Sequence, residues 1–154
     1  MFYQDHVYAR DVLKVYDSSY QEIIVRDYRR EGKPVRIFHT NRSFASGFDP
    51  VLIQSPFEYI RHMVDITKIL QPKRVLLIGA AGFVYPYEIS KFDFLEQIDA
   101  IDIDPKVKDI AETYLLQEPL SAKVHFIAES ARYAVRRLAS EGKRYDLIIV
   151  DAFL

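Results

Sequence analysis

The spacing of apolar residues divides the chain into two regimes. In the first third, β-forming residues gather in short runs: Val7, Val12, Leu13 and Val15, then Ile23, Ile24 and Val25. These predict strands over 7–16 and 20–28, with Asp17-Ser18-Ser19 between them as turn chemistry. A polar turn from Arg29 to Pro34 leads to a third strand over 35–40. Residues 41–48 carry Asn, Ser and Gly and read as a loop or an irregular hairpin. Residues 1–48 are therefore expected to form a small antiparallel β-unit. About three strands alone are marginal in water, so the unit is expected to pack on the rest of the chain or on another copy.

The spacing changes at Ser55-Pro56-Phe57-Glu58. Ser55 suits a helix cap, Pro56 the first helical position, and Glu58 would complete a capping box. Phe57, Ile60, Met63, Val64, Thr67 and Leu70 then recur at helical spacing until Gln71-Pro72-Lys73 stops the helix. From there strands and helices alternate. Strand 75–78 leads to helix 84–91, strand 98–103 to helix 105–116, and strand 123–127 to helix 130–140; 145–150 is a fourth strand. Alternation with right-handed crossovers predicts a parallel sheet, and the uninterrupted apolar runs predict strands covered on both faces. The expected fold class is α/β. A Rossmann-like parallel sheet occupies 49–154, preceded by the β-unit of 1–48.

In such sheets ligands sit beyond the carboxyl ends of the strands, near the switch in strand order. That rim holds Gly79, Asp102, Glu129 or Ser130, and Asp151. Gly79-Ala80-Ala81-Gly82 follows the first parallel strand as a small-residue turn. It would let backbone N–H groups approach a ligand, or simply let two elements pack tightly. Asp102 lies about twenty residues further on, where an acid can grip ribose hydroxyls; the bland reading is a strand-end Asp. Asp104, before Pro105, reads as a helix cap. Asp151 ends the run Leu147 to Val150 and is placed to meet substrate, whereas Asp146, at the other end of that strand, reads as structural. His6, His39, His62 and His125 show no ligand spacing, so no metal site is expected. Arg132 and Arg136 share a helix face that reads as solvated.

Composition narrows the field. The chain has 154 residues, a formal net charge of −1 and 49% hydrophobic residues. A core is within reach, and nothing in the charge points to nucleic acid or an acidic membrane surface. There is no cysteine, which excludes disulfides and thiol chemistry and fits the cytoplasm. No apolar run approaches the ~20 residues of a membrane span.

Several segments, in order, resemble the spermidine synthases (polyamine aminopropyltransferases) and their relatives, which share the fold of S-adenosylmethionine-dependent methyltransferases. They are S-S-Y-Q-E-I-I-V (18–25), V-L-L-I-G-A-A-G (75–82) with Glu88, A-I-D-I-D-P-K-V (100–107) with Ala111 and Tyr114, S-A-R-Y (130–133) and Y-D-L-I-I-V-D-A-F (145–153). The resemblance implies aminopropyl transfer from decarboxylated S-adenosylmethionine, as co-substrate, to an amine such as putrescine. It implies that Gln21 borders the nucleoside, that Gly79 and Gly82 form its glycine turn, that Asp102 binds ribose, and that Asp151 helps deprotonate the attacking amine. A homodimer is also expected, through the β-unit or an exposed fourth strand. The chain departs from the family at four places. Gly82 stands where the family has an Asp. Ser130 replaces the acid that meets the adenine amine. The family's Tyr-His-Glu has only Phe57-Glu58-Tyr59 nearby. The gate loop and remaining strands that follow the catalytic acid would lie beyond Leu154, so the chain is expected to be a fragment or a shortened relative. Two other functions stay open: a methyltransferase-type domain using S-adenosylmethionine, and a non-catalytic binding or assembly module.

Overall fold

The computed structural model describes residues 11–152; the predicted strand residues 7–10 lie outside that range. The described elements are β1 (Asp11–Asp17), β2 (Glu22–Arg30), β3 (Lys33–Thr40), β4 (Ser43–Phe48), α1 (Glu58–Leu70), β5 (Arg74–Ile78), α2 (Val84–Ile89), β6 (Gln97–Asp102), α3 (Val107–Ile110), β7 (Val124–Ala128), α4 (Ala131–Ser140) and β8 (Leu147–Val150). β1 to β4 form an antiparallel meander, and β5 to β8 a parallel sheet in the order β7-β6-β5-β8. The chain thus steps outward from β5 to β6 and β7, then returns to the other side of β5. The switch in strand order falls between β5 and β8.

Of the two readings of residues 41–48, the irregular hairpin holds, with a register shift between Phe38 and His39. Asn41 and Arg42, at φ 48° and 66°, make a two-residue hairpin turn, and Ser43 to Phe48 pair with β3. Positive φ at both central positions is what such a turn requires, and Asn tolerates it well. The Asn41 side chain also accepts the Glu22 N–H at 3.0 Å. The sequence left a loop open as well because Ser43, Ala45, Ser46 and Gly47 have little β-propensity of their own. Its fit is tertiary: a Cβ on Gly47 would lie 3.0 Å from the Pro56 ring and 3.2 Å from Ile37.

One apolar core joins the two sheets. Ile23, Val25, Phe38 and Phe48 from the meander pack in the same cluster as Val75, Leu77, Phe83 and Leu115. The β-unit therefore buries its inner face on the rest of the chain. The helix predicted over 105–116 is only briefly α-helical; Ala111–Leu116 is π-helical. The Leu115 carbonyl accepts the Arg36 guanidinium at 2.8 Å, which ties β3 to this segment.

The start of α1 differs from the expected capping box. The helix begins at Glu58, with Phe57 before it and no side-chain cap. Ser55 is fully buried; its N–H donates to Glu88 Oε1 at 2.5 Å, and its hydroxyl accepts the Phe57 N–H at 3.1 Å. Tertiary pairing with Glu88 has replaced the local cap. At the other end the expectations hold, with Gln71 left-handed ahead of Pro72. β8 is an edge strand, with Ile148 and Val150 57% and 67% exposed.

His39, on β3, is buried with its Nε2 2.9 Å from the Tyr28 hydroxyl. Burial, helped by the charge of Arg26, lowers its pKa to about 4. A base with a lowered folded pKa gives stability that is complete above its unfolded value near 6.5 and is lost as pH falls toward 4. That window corresponds to about 3 kcal/mol. Urea midpoints at pH 7, 5.5 and 4.5 are expected to fall in that order, and His39→Leu is expected to flatten the slope. An unchanged slope in the variant would assign the acid sensitivity to other groups.

Candidate functional site

The carboxyl ends of the parallel strands open into a cavity of about 740 Å³. Across the rim, in sheet order, stand Ser130 after β7, Asp102 on β6, Gly79 after β5 and Asp151 after β8. The β-unit supplies the opposite wall with Gln21, Thr40, Asn41 and Phe44. Five of the six residues picked out in the sequence therefore meet in one place. Gly82 does not line the cavity. A Cβ there would stand 2.6 Å from Leu115 and 2.7 Å from Ser46, so this glycine serves close packing of the turn against the β-unit.

Gly79 sits at the switch point. Its φ is +92°, and a Cβ would come within 2.2 Å of the Asp151 carbonyl oxygen. Conformation and space both demand glycine. Its N–H donates to the Ile101 carbonyl, and the Asp151 N–H to the Ile78 carbonyl, at 2.9 and 2.8 Å. The ends of β5, β6 and β8 are thus stitched together beneath the cavity. The turn that follows carries Ala81 and Phe83 at φ 40° and 57°. A left-handed non-glycine residue costs roughly 1–2 kcal/mol. Ala81→Gly is therefore expected to raise stability by about 1 kcal/mol, or about 2–4 °C in Tm for a chain of this length. A fall in Tm would show that the alanine methyl is needed in the turn.

Asp102 organises that turn. One carboxylate oxygen accepts the Ala81 N–H and the other the Asp104 N–H, each at 3.2 Å. Burial raises its pKa, while these backbone donors pull the other way. Asp104 is fully buried. It accepts the Lys106 N–H at 3.0 Å, but α3 begins only at Val107, with Lys106 before it and no side-chain cap, so Asp104 holds the turn ahead of the helix instead of capping it as expected. It also accepts the Ser18 hydroxyl at 2.6 Å, which the sequence did not reveal. The Ser18 oxygen in turn accepts the N–H groups of Tyr20 and Gln21. Gln21 is thereby fixed to the cavity through a link of two short side chains from distant segments.

Ser130 precedes α4 without making a side-chain cap hydrogen bond. Beside it Glu129 is held by Arg137, at 3.1 and 3.2 Å. Asp151 has its pKa raised by burial. Tyr59, in the first turn of α1, donates to the Ala45 carbonyl at 3.3 Å. Burial and the nearby charge of Asp151 push its phenol up to about 12. Asp146 accepts the N–H groups of Lys73 and Arg74, both at 2.9 Å, at the far end of β8; it is structural. Among the described residues no His, Asp or Glu cluster could hold a metal ion, and no helix is long and apolar enough to cross a membrane.

Known proteins give this geometry a family. The chain is similar to the polyamine aminopropyltransferase of Vibrio vulnificus, with 34% identity over 149 residues that cover 88% of this chain and 46% of that protein. It is similar to the polyamine aminopropyltransferase of Alkaliphilus oremlandii, with 32% identity over 88% of this chain and 45% of that protein. The chain thus spans about half the length of these relatives. Its fold matches the crystal structure of spermidine synthase from Thermotoga maritima with a TM-score of 0.73 at 22% identity, over 92% of this chain and 48% of that one. A spermidine synthase in complex with the transition-state analogue AdoDATO gives 0.74 at 20% identity, over 96% and 48%. Residues 55–153, more than half of the chain, match the spermine/spermidine synthase domain model, and the chain belongs to that family.

Proposed function

We propose that this chain carries the nucleoside site and the catalytic acid of an aminopropyltransferase acting on decarboxylated S-adenosylmethionine and an amine. The observation that carries the reading is the meeting of Gln21, Gly79, Asp102, Ser130 and Asp151 on one cavity at the switch in strand order. In this reading residues 1–48 are a β-unit that closes the cavity and 49–154 the nucleoside-binding domain. The free oxygen lone pairs of Asp102 hold the ribose hydroxyls, and Gln21 borders the nucleoside. Ser130 offers a hydroxyl to the edge of the base. The neutral amine nitrogen attacks the aminopropyl carbon bonded to sulfur. The C–N bond forms as the C–S bond breaks, the electron pair leaves on sulfur as neutral methylthioadenosine, and the nitrogen's proton passes to Asp151. Burial makes Asp151 a stronger base than an ordinary carboxylate, and the sulfonium is already a good leaving group, so positioning is most of the work. The same reading carries a cytoplasmic location and a homodimer.

The test is a thermal-shift titration with methylthioadenosine, decarboxylated S-adenosylmethionine and S-adenosylmethionine. At about a hundred times its Kd a ligand stabilises by roughly 2.7 kcal/mol, about 5–10 °C here. A shift with the first two ligands, lost in Asp102→Ala, is expected. No shift with any of them, or an equal shift in the variant, would overturn the reading. A shift with S-adenosylmethionine alone would move it to the methyltransferases.

A further inference from the structure

The two walls of the cavity come from different parts of the chain. One is the rim of the parallel sheet, with Asp102 and Gly79; the other is the β-unit, with Gln21. Gln21 lies in the turn between β1 and β2, which Ser18 opens. That turn is closed locally. The Ser18 N–H donates to the Gln21 carbonyl at 3.0 Å, and the Ser18 side-chain oxygen accepts the Tyr20 and Gln21 N–H groups at 3.0 and 3.1 Å. Local closure shapes the turn but does not fix where it stands against the sheet. Among the described residues, the one hydrogen bond from this turn to the rim of the parallel sheet runs from the Ser18 hydroxyl to Asp104 Oδ2, at 2.6 Å. The hydroxyl has a single proton, and the Gln21 carbonyl is a second acceptor in reach at 3.2 Å. The carboxylate is the nearer and the stronger acceptor, so it takes the proton.

Asp104 joins the two walls. It is fully buried, with one carboxylate oxygen on the Lys106 N–H and the other on Ser18. Its own N–H donates to Asp102 Oδ1, and Asp102 Oδ2 accepts the Ala81 N–H. A continuous series of hydrogen bonds thus leads from Gln21 through Ser18, Asp104 and Asp102 to the glycine turn. Without the Ser18 hydroxyl, a buried carboxylate oxygen would be left unpaired and out of reach of water, which is costly. Helix capping does not account for the burial of Asp104, because α3 starts at Val107 with no side-chain cap.

We propose that Ser18 and Asp104 are positioning residues for the nucleoside: their hydrogen bond sets the Gln21 wall against the Asp102 wall, and so sets nucleoside affinity through Gln21. This rests on the aminopropyltransferase reading above. Neither Ser18 nor Asp104 is among the residues that line the cavity, so each acts at a remove from the ligand. A ligand gripped between two walls loses contacts when one of them shifts, and displacements of about 1 Å are enough to matter in such sites. The apolar core shared by the two sheets holds the β-unit in place when the bond is cut. The loss therefore falls on the site more than on the fold.

The test is a calorimetric titration of the whole chain with methylthioadenosine, repeated for Ser18→Ala, Ser18→Thr, Gln21→Ala and the double variant Ser18→Ala with Gln21→Ala, with a melting curve for each. Ser18→Ala and Gln21→Ala are each expected to raise Kd by about 2–10-fold, the range of one side-chain hydrogen bond. Ser18→Thr keeps the hydroxyl and is expected to restore most of the affinity. Because Ser18 acts through Gln21, the double variant is expected to lose no more than the larger single loss; a merely structural role for Ser18 would add its loss to that of Gln21. Wild-type affinity in a folded Ser18→Ala, additive losses, or a Ser18→Thr no better than Ser18→Ala overturns the inference, while wild-type binding leaves the nucleoside reading standing. If Ser18→Ala does not fold, Gln21→Ala and Ser18→Thr decide. A loss in the first with affinity kept in the second supports the inference, and unchanged affinity in Gln21→Ala or a loss in Ser18→Thr overturns it. Failure of the wild-type chain to bind methylthioadenosine overturns both.

Discussion

On the aminopropyltransferase reading proposed above, Asp151→Asn is expected to lower aminopropyl transfer by a factor of about 10²–10⁴, the usual range for a positioned acid–base group, and at the same time to raise Tm at neutral pH. The two effects share one cause. Burial raises the Asp151 pKa, and no described donor offsets it. An acid whose folded pKa lies above its unfolded value binds its proton more tightly when folded. Its contribution to stability is greatest below the ordinary carboxylate value and is lost as pH rises through the raised folded value. At pH 7 the ionised carboxylate therefore burdens the fold, and a neutral isostere of the same shape removes that burden. Melting curves of both proteins between pH 4 and pH 7 check this: the gap in favour of the variant should widen as pH rises. A variant less stable at pH 7 would mean that the carboxylate has a stabilising partner. Spectroscopic titration of Tyr59 gives a second readout. Its phenol, pushed up to about 12 partly by Asp151, should titrate lower in the variant. Destabilisation held at a group proposed to take part in the reaction fits the usual trade between activity and stability.

What could be read from the sequence was set by how local each determinant is. The parallel strands were legible because Val75 to Ile78 and Leu147 to Val150 are unbroken apolar runs between polar residues; the expected cover on both faces holds for the first and fails for the second, since Ile148 and Val150 on the edge strand β8 are exposed. Asp102 and Asp151 were legible because position at a strand's carboxyl end is itself a local property. The rest depended on partners distant in the chain. β4 is a strand because β3 and Pro56 receive its small residues, not because Ser43 to Gly47 favour extension. Ser55 looks like a cap and is instead pinned by Glu88, thirty-three positions away. Gly82 resembled part of a ligand cradle; what it accommodates is Leu115 and Ser46. The Ser18–Asp104 bond spans eighty-six positions, and each residue had a sufficient local role as turn or cap. Phe44 carried no signal at all, because an exposed aromatic in an apparent loop cannot be told from any other until the cavity is in view.

Gly79→Ala is expected to damage stability and site together. At φ +92° an alanine is strained by roughly 1–2 kcal/mol even in open space. Here space is absent as well, since the new Cβ would fall 2.2 Å from the Asp151 carbonyl oxygen. That oxygen belongs to backbone, so rotating a side chain gives no relief. Either β5 or the end of β8 must move. Moving β8 strains the Asp151 N–H bond to Ile78, and moving the glycine strains its own bond to Ile101. Losses of this kind lie at the upper end of single-substitution effects, about 4 kcal/mol or more, or at least about 8 °C in Tm. The displacement also separates Asp151 from the glycine turn that is proposed to hold the nucleoside. Methylthioadenosine affinity should therefore fall in whatever folded protein remains. Ala81→Gly, two residues along the same turn, is the control, because it relieves strain where Gly79→Ala adds it. If both substitutions lower Tm equally, the turn dislikes any change, and the close crossing of β5 and β8 is not what fixes Gly79. Opposite signs would tie that glycine to the one point where the two strands part to admit a ligand.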